Sequence, residues 1–165
     1  MDRWQHTAWV VWGLVVVGGV GRAALYHLPR HCGCYDVFAA GGRHWLAGEP
    51  VYDLDHPDSL TVFRYSPLVA AACAPLALLS PPAGSAALRL VNFAALIAGL
   101  AWWGRRVLPS PTDRAKWWLL VALAGGPALL DVQFNLLTVG LMLVGAAAFS
   151  AGRLNVSAAA LSLAV

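Results

Sequence analysis

Between Tyr35 and Pro67 the chain reads YDVFAAGGRHWLAGEPVYDLDHPDSLTVFRYSP. Asp36, Asp53, Asp55 and Asp58 stand there among Arg43, His44 and Arg64 and the rings of Tyr35, Trp45, Tyr52, Phe63 and Tyr65. A carboxylate within hydrogen-bond reach of a hydroxyl can take its proton in a transition state. A guanidinium fork matches phosphate oxygens, and fixed positive charge holds the charge that builds on a leaving phosphate. Asp36 is the carboxylate to single out, because it precedes an apparent helix over Val37–Ala47. Two roles are open to it, proton acceptor and helix N-cap. Asp53 and Asp55 read as turn formers, since Asp bonds its own backbone in turns. Arg64 either anchors a helix end or binds phosphate, as Arg43 could. Tyr52 and Tyr65 suit interface anchors or a platform for an acceptor. His44 reads as solvated. Nothing in this set calls for a metal or an organic cofactor, and Cys32-Gly-Cys34 reads as a pair of incidental thiols at the loop start.

These residues must be held by elements of a particular kind. Of 165 residues, 59% are hydrophobic and only 12% are charged, against about 25% charged in ordinary globular domains. With a mean hydropathy of +0.65, the class is an all-α integral membrane protein. The net charge of +3 is scattered near the ends of apolar runs. That pattern excludes the basic stripe of a nucleic-acid partner.

Spans are expected at about 8–28, 62–80, 84–104, 117–130 and 136–151, with another starting near 156, all in one membrane domain over 1–165. A spanning helix needs about 20 apolar residues. The first run therefore reads as an uncleaved signal anchor rather than a cleaved leader, with Arg22 snorkelling. Residues 29–66 form the loop that follows it. Arg3 favours a cytoplasmic N-terminus and so places that loop outside. The polar stretch Val107–Lys116 carries Arg114 and Lys116 and follows Arg105-Arg106. If the run at Leu68–Leu79 crosses, this basic stretch lies outside, against the positive-inside tendency; if it is re-entrant, the stretch lies inside. Within the loop, the helix after Asp36 places Phe38, Trp45 and Leu46 on a similar face, suited to lying in the interface plane. Arg22 and Arg89 are rare inside apolar runs and suggest function. Gln133 and Asn135 either serve a site or satisfy helix ends near Pro127. The Asn155-Val-Ser157 sequon abuts an apolar run and is discounted. The chain stops inside an apolar segment, so it reads as the N-terminal portion of a longer protein or a truncated frame.

Several motifs in order carry a resemblance: Asp36-Val-Phe-Ala-Ala-Gly41, Trp45-Leu-Ala-Gly48, Val51-Tyr52-Asp53, Phe63-Arg-Tyr65-Ser-Pro67 and Ala74-Pro75-Leu76-Ala77. Together they resemble the glycosyltransferase 87 family (DUF2029) of polyprenyl-phosphate-mannose-dependent mannosyltransferases. Asp131-Val-Gln133-Phe-Asn135 resembles that family's Gly-Gln-x-Asn element, with Asp-Val in place of the usual preceding residues. The resemblance runs from about Ala8 to the end. It implies a GT-C-like helical bundle, here partial, multi-pass in the cell membrane, with the active site on the extracytoplasmic side and an interfacial helix in the first outer loop. It implies a polyprenyl-phosphate sugar donor, with mannose as the sugar, a lipid or glycan acceptor, and transfer with inversion. Asp36 matches the family's catalytic acid position, and Arg64, Tyr65, Arg43, Tyr52, Gln133 and Asn135 become candidates for binding substrate. The other classes that fit the apolar chain are a transporter or flippase fragment, for which breaks at Pro75 and Gly125-Gly126-Pro127 would line a path, and a noncatalytic membrane subunit.

Overall fold

The structure, a computed structural model, describes residues 2–25, 35–52, 63–130 and 135–164. These residues are helical, with no strand among them. The helices are α1 (Arg3–Gly21), a 3₁₀ turn at Arg22–Leu25, α2 (Tyr35–Ala47), α3 (Pro67–Ala77), α4 (Pro81–Val107), α5 (Pro111–Leu130), α6 (Asn135–Ser150) and α7 (Leu154–Leu163). The chain divides into two compact units, one made of Met1–Gly19 with Leu90–Val165 and the other of Val20–Arg89.

Local chemistry sets the helix ends. Asp2 and Gln5 form a reciprocal cap on α1: the Gln5 N–H donates to Asp2 Oδ1 at 2.8 Å, and the Asp2 N–H donates to Gln5 Oε1 at 3.0 Å. Each bond satisfies a donor that the first turn would leave orphaned. Ser66 caps α3, with Pro67 in the first turn. The polar stretch expected over Val107–Lys116 is shorter than its composition suggests, because α5 begins at Pro111. Ser110 Oγ accepts the Asp113 N–H at 3.3 Å, and a proline at the first helical position with an acid in the first turn is a standard helix start. At the other end of α5, the helix continues through Gly125, Gly126 and Pro127 to Leu130. α3 likewise continues past Pro75 to Ala77.

In the larger unit the helices approach closely through small residues. A Cβ on Gly99 would lie 2.5 Å from the Gly140 carbonyl oxygen, and one on Gly140 would lie 2.5 Å from the Ala95 carbonyl carbon. Helices that associate within lipid rely on such contacts, because apolar burial gives no drive there. Polar side chains serve backbone: Asn92 Oδ1 of α4 accepts the Leu137 N–H at 3.0 Å in the first turn of α6, and Trp12 Nε1 donates to the Trp118 carbonyl at 3.1 Å. Large apolar side chains point outward, with Leu14 68%, Val17 72% and Leu123 78% exposed. A water-soluble surface does not carry such a set. Among the described residues, α4 alone is long and apolar enough to cross a membrane by length and composition. Its 27 residues extend about 40 Å, beyond the roughly 30 Å hydrocarbon core.

Candidate functional site

The smaller unit is built on the packing of α2 against α3. Gly42 lets the two backbones meet: a Cβ there would lie 3.1 Å from both the Ala74 nitrogen and its Cα. Ala70, Ala74 and Ala77 supply the matching small face of α3 and are all buried. The phenol of Tyr35, in the first turn of α2, donates to the Leu76 carbonyl near the end of α3 at 2.9 Å. Its ring is 2% exposed, and burial pushes its hydroxyl above the ordinary phenol value. Gly84, in the first turns of α4, leaves the room this phenol needs, for a Cβ there would sit 1.8 Å from the hydroxyl oxygen.

The return segment before α3 is clamped by rings. Phe38 of α2 meets Tyr65 at 5.0 Å between centroids, Tyr65 meets Phe63 at 5.8 Å, and Phe63 meets Tyr52 at 6.2 Å. The Tyr52 hydroxyl donates to the Tyr65 carbonyl at 2.8 Å, tying the chain after α2 to the chain before α3. Gly41 admits the Phe63 ring, which would lie 2.6 Å from a Cβ at that position. α2 ends in a Schellman turn: Gly48 takes φ +70°, and the Glu49 N–H donates to the His44 carbonyl at 2.9 Å. His44 Nδ1 donates to the Pro50 carbonyl at 3.0 Å, so this partly solvated imidazole also holds the turn.

Asp36 lies in the first turn of α2, half-buried beside the buried Tyr35. The helix begins two residues before the expected Val37, so Asp36 is inside the helix rather than its N-cap. Burial raises its carboxyl above the ordinary carboxylate value, and the charge of Arg43 works against that rise. Arg43 follows Asp36 by seven residues, two turns along the same face, with its side chain exposed. Arg64 is also exposed, and among the described residues its charge is not one that acts on Asp36.

Asp36 and Arg43 thus lie on α2, and Tyr65, in the segment before α3, packs against Phe38 of the same helix and accepts from Tyr52. Arg64 sits beside Tyr65 in sequence and faces outward. Asn135 is the exposed first residue of α6, in the other unit. Gln133 lies outside the described residues, as do Cys32, Cys34, Asp53, Asp55 and Asp58. Phe38, Trp45 and Leu46 do not share one environment: Phe38 is 1% exposed, Trp45 45% and Leu46 53%. The Tyr65 ring packs on Phe38. Gly41, Gly42 and Gly84 are the positions that the sequence reading passed over. The signal for Gly42 was the register of small residues, since it faces Ala74 and Ala77 of α3, three apart; Gly41 and Gly84 instead make room for Phe63 and Tyr35.

Two proteins of known activity are similar to this chain. A polyprenol-phosphate-mannose-dependent alpha-(1-2)-phosphatidylinositol mannoside mannosyltransferase of Mycobacterium tuberculosis is 33% identical over 126 residues, covering 68% of this chain and 29% of that protein. The protein of the same name from Mycolicibacterium smegmatis is 32% identical over 147 residues, covering 76% of this chain and 32% of its own length. The chain therefore spans less than a third of either relative. No family model matches the chain, and no solved structure does. The relationship is to mannosyltransferases that use a polyprenol-phosphate-mannose donor.

Proposed function

We propose that the protein is a membrane mannosyltransferase of the glycosyltransferase 87 type, with a multi-pass GT-C-like architecture. It would move mannose from a polyprenyl-phosphate donor to a phosphatidylinositol mannoside or similar lipid acceptor, with inversion, on the extracytoplasmic face. The observation that carries this reading is the half-buried Asp36 carboxyl, raised by desolvation, in a chain similar to enzymes of that name. An acceptor hydroxyl oxygen attacks the anomeric carbon of the donor sugar. The bond from that carbon to the phosphate oxygen breaks, and its electron pair leaves with the phosphate. Asp36 takes the hydroxyl proton as the new bond forms; a carboxylate whose proton affinity is raised is the better base for this step. Arg43, on the same helix face, and the outward guanidinium of Arg64 are placed to offer N–H donors to the leaving phosphate. Tyr52 and Tyr65 hold the edge of the site through their mutual bond. Gln133 and Asn135 complete the set proposed to meet substrate.

Contacts within the larger unit support one membrane orientation. The guanidinium of Arg3 and the Lys116 ammonium both lie over the Trp4 ring, at 5.5 and 5.7 Å from its centroid, and the Thr112 hydroxyl donates to Asp2. The N-terminus and the start of α5 therefore share one end, together with Arg105 and Arg106 in the last turn of α4. Such an end belongs in the cytoplasm. On that orientation an even number of crossings lies between the N-terminus and the start of α5; we take α1 and α4 as the two and α3, whose 11 residues extend only about 16 Å, as re-entrant. The transferase reading is the one supported by the similar proteins, while α5 runs through Pro127 and α3 past Pro75 as helix.

The reading is tested by expressing the full-length gene product with polyprenyl-phosphate mannose and phosphatidylinositol mannoside acceptor. Transfer by wild type and its loss in Asp36→Asn are expected; undiminished transfer by the variant overturns the assignment of the base. For orientation, Ser59→Cys and Thr112→Cys are placed singly after Cys32, Cys34 and Cys73 are replaced. An impermeant thiol reagent on intact cells should label the first and spare the second.

A further inference from the structure

A cleft of about 270 Å³ opens in the larger unit between α1, the end of α4 and the start of α5. Trp9, Ala101 and Trp118 line it with apolar surface, and Gln5, Arg105 and Arg114 line it with polar groups. The transfer chemistry assigned to α2 makes no use of it.

Its charge is one-sided. Among the described residues no carboxylate lines the cleft. The two acids at this end are engaged elsewhere: Asp2 accepts from the Thr112 hydroxyl and the Gln5 N–H, and Asp113 faces Lys116 at 3.7 Å. Arg114 donates through Nη1 to the Leu108 carbonyl at 3.3 Å, which steadies the side chain and leaves its other N–H groups to face a ligand. Arg105 has no carboxylate partner among the described residues. Arg3 and Lys116 over the Trp4 ring add two more cations at the same end. Trp9 and Trp118, 5.7 Å apart between centroids, give the cleft a wall that an inorganic anion would not use.

Depth fixes the kind of ligand. Arg105 is in the last turn of α4, the helix long and apolar enough to cross a membrane, so the cleft lies at headgroup level. Basic pockets between membrane helices at that level take anionic lipid headgroups. We propose that the cleft binds an anionic phospholipid of the adjoining leaflet. Its phosphate sits against Arg105 and Arg114, and the upper part of one acyl chain lies along Trp9, Ala101 and Trp118. The assignment stands on the larger unit alone and does not depend on what α2 does.

The test uses the purified chain in mixed micelles of phosphatidylglycerol and phosphatidylcholine, with bound lipid counted by native mass spectrometry. Wild type should retain one phosphatidylglycerol in clear preference to phosphatidylcholine. At about a fivefold loss per cation near a charged headgroup, Arg105→Gln with Arg114→Gln should cut that preference roughly 25-fold. Arg106→Gln, a cation outside the cleft, should leave it nearly unchanged. Ala101→Leu fills the cleft without altering charge and should also lose the lipid, which keeps the test decisive if the double arginine variant fails to fold. Equal retention of the two lipids by wild type, an equal loss in Arg106→Gln, or full displacement of the lipid by millimolar inorganic phosphate would each overturn the proposal. The last of these would mark a simple anion site.

Discussion

Asp2 caps the start of α1 in one unit and Asp36 stands in the first turn of α2 in the other, and their surroundings drive them in opposite directions. Asp2 is held below the ordinary carboxylate value, first by the hydroxyl of Thr112 and then by the Gln5 N–H. Asp36 is pushed above it by burial, with Arg43 opposing. The first carboxylate has its lone pairs filled by donors and has no proton affinity to spare. The second has a drier setting and a cation two helical turns away. Position at a helix start predicts neither role; the neighbours that the fold brings decide between a cap and a base. The same contrast runs through the units. In both units polar groups close helix ends and small residues set helix spacing. The smaller one adds glycines that make room for rings, and the rings clamp the segment before α3.

The sharpest way to break this comparison is to neutralise each acid in turn. Asp36→Asn should reduce transfer roughly 10²–10⁴-fold, the range lost with a general base, as read from turnover of a mannose donor. The sign for stability is the reverse. Since the folded carboxyl is raised, the folded state binds the proton more tightly than the unfolded chain. Stability is then highest at low pH and falls as pH climbs from the ordinary value of 3.8 through the raised one. At neutral pH the amide should therefore be at least as stable as the carboxylate. The acidic limb of the rate profile should also lie above the ordinary carboxylate range, because protonated Asp36 cannot accept a proton. For Asp2 the lowered value means that its contribution is present above 3.8 and fades as pH falls through the lower folded value. Asp2→Ala should reduce thermal stability at neutral pH while sparing turnover of the folded fraction. Equal loss of turnover in both variants would end the distinction.

Glycine substitutions separate the units next. In Gly140→Ala the new methyl would meet the Ala95–Leu96 backbone at 2.5–2.6 Å, which no side-chain rotation relieves. A loss of about 1–3 kcal/mol is expected, as for an overpacked core, with turnover of the folded fraction unchanged. In Gly84→Ala the methyl collides with the Tyr35 hydroxyl, so Tyr35 must leave the Leu76 carbonyl. That moves the residue next to Asp36, and turnover should fall beyond what stability explains. Adding Tyr35→Phe removes the colliding oxygen and should restore part of the loss, a coupling that a double-mutant cycle reads directly.

How much of this was legible in the sequence depends on the range of the contact. The all-helical class was legible because apolar runs and few charges leave no other solution. The Asp-headed helix was legible because Asp36, Val37 and Phe38 begin a helical pattern that ends at Gly48. The start of α5 was present as Ser110-Pro111-Thr112-Asp113 but was hidden by reading composition ahead of capping. The burial of Phe38 apart from Trp45 could not be read from the α2 sequence, since Phe38 packs against Tyr65, 27 residues on. The Tyr35–Leu76 bond joins residues 41 apart, and the partnership of Asp2 with Thr112 joins residues 110 apart. No local pattern announces either; the first ties the start of α2 to the end of α3, and the second is the largest cause of the lowered Asp2 carboxyl.

The smallest expected effect concerns Tyr52. Its hydroxyl bonds the Tyr65 carbonyl at 2.8 Å, but its ring is 49% exposed, so water can replace the lost donor. Tyr52→Phe should cost no more than about 0.5–1 kcal/mol, the lower part of the range for a single hydrogen bond. If the tie only stabilises, turnover should hold once folding is accounted for. If Tyr52 also steadies the aromatic edge where donor and acceptor meet, KM should rise while the acidic limb stays in place, because the Asp36 carboxyl is set by its own burial and by Arg43 rather than by Tyr52. A shift of that limb in Tyr52→Phe would show that the ring cluster and the acid form one electrostatic unit, and the contrast between Asp2 and Asp36 would then rest on more than the neighbours named for each.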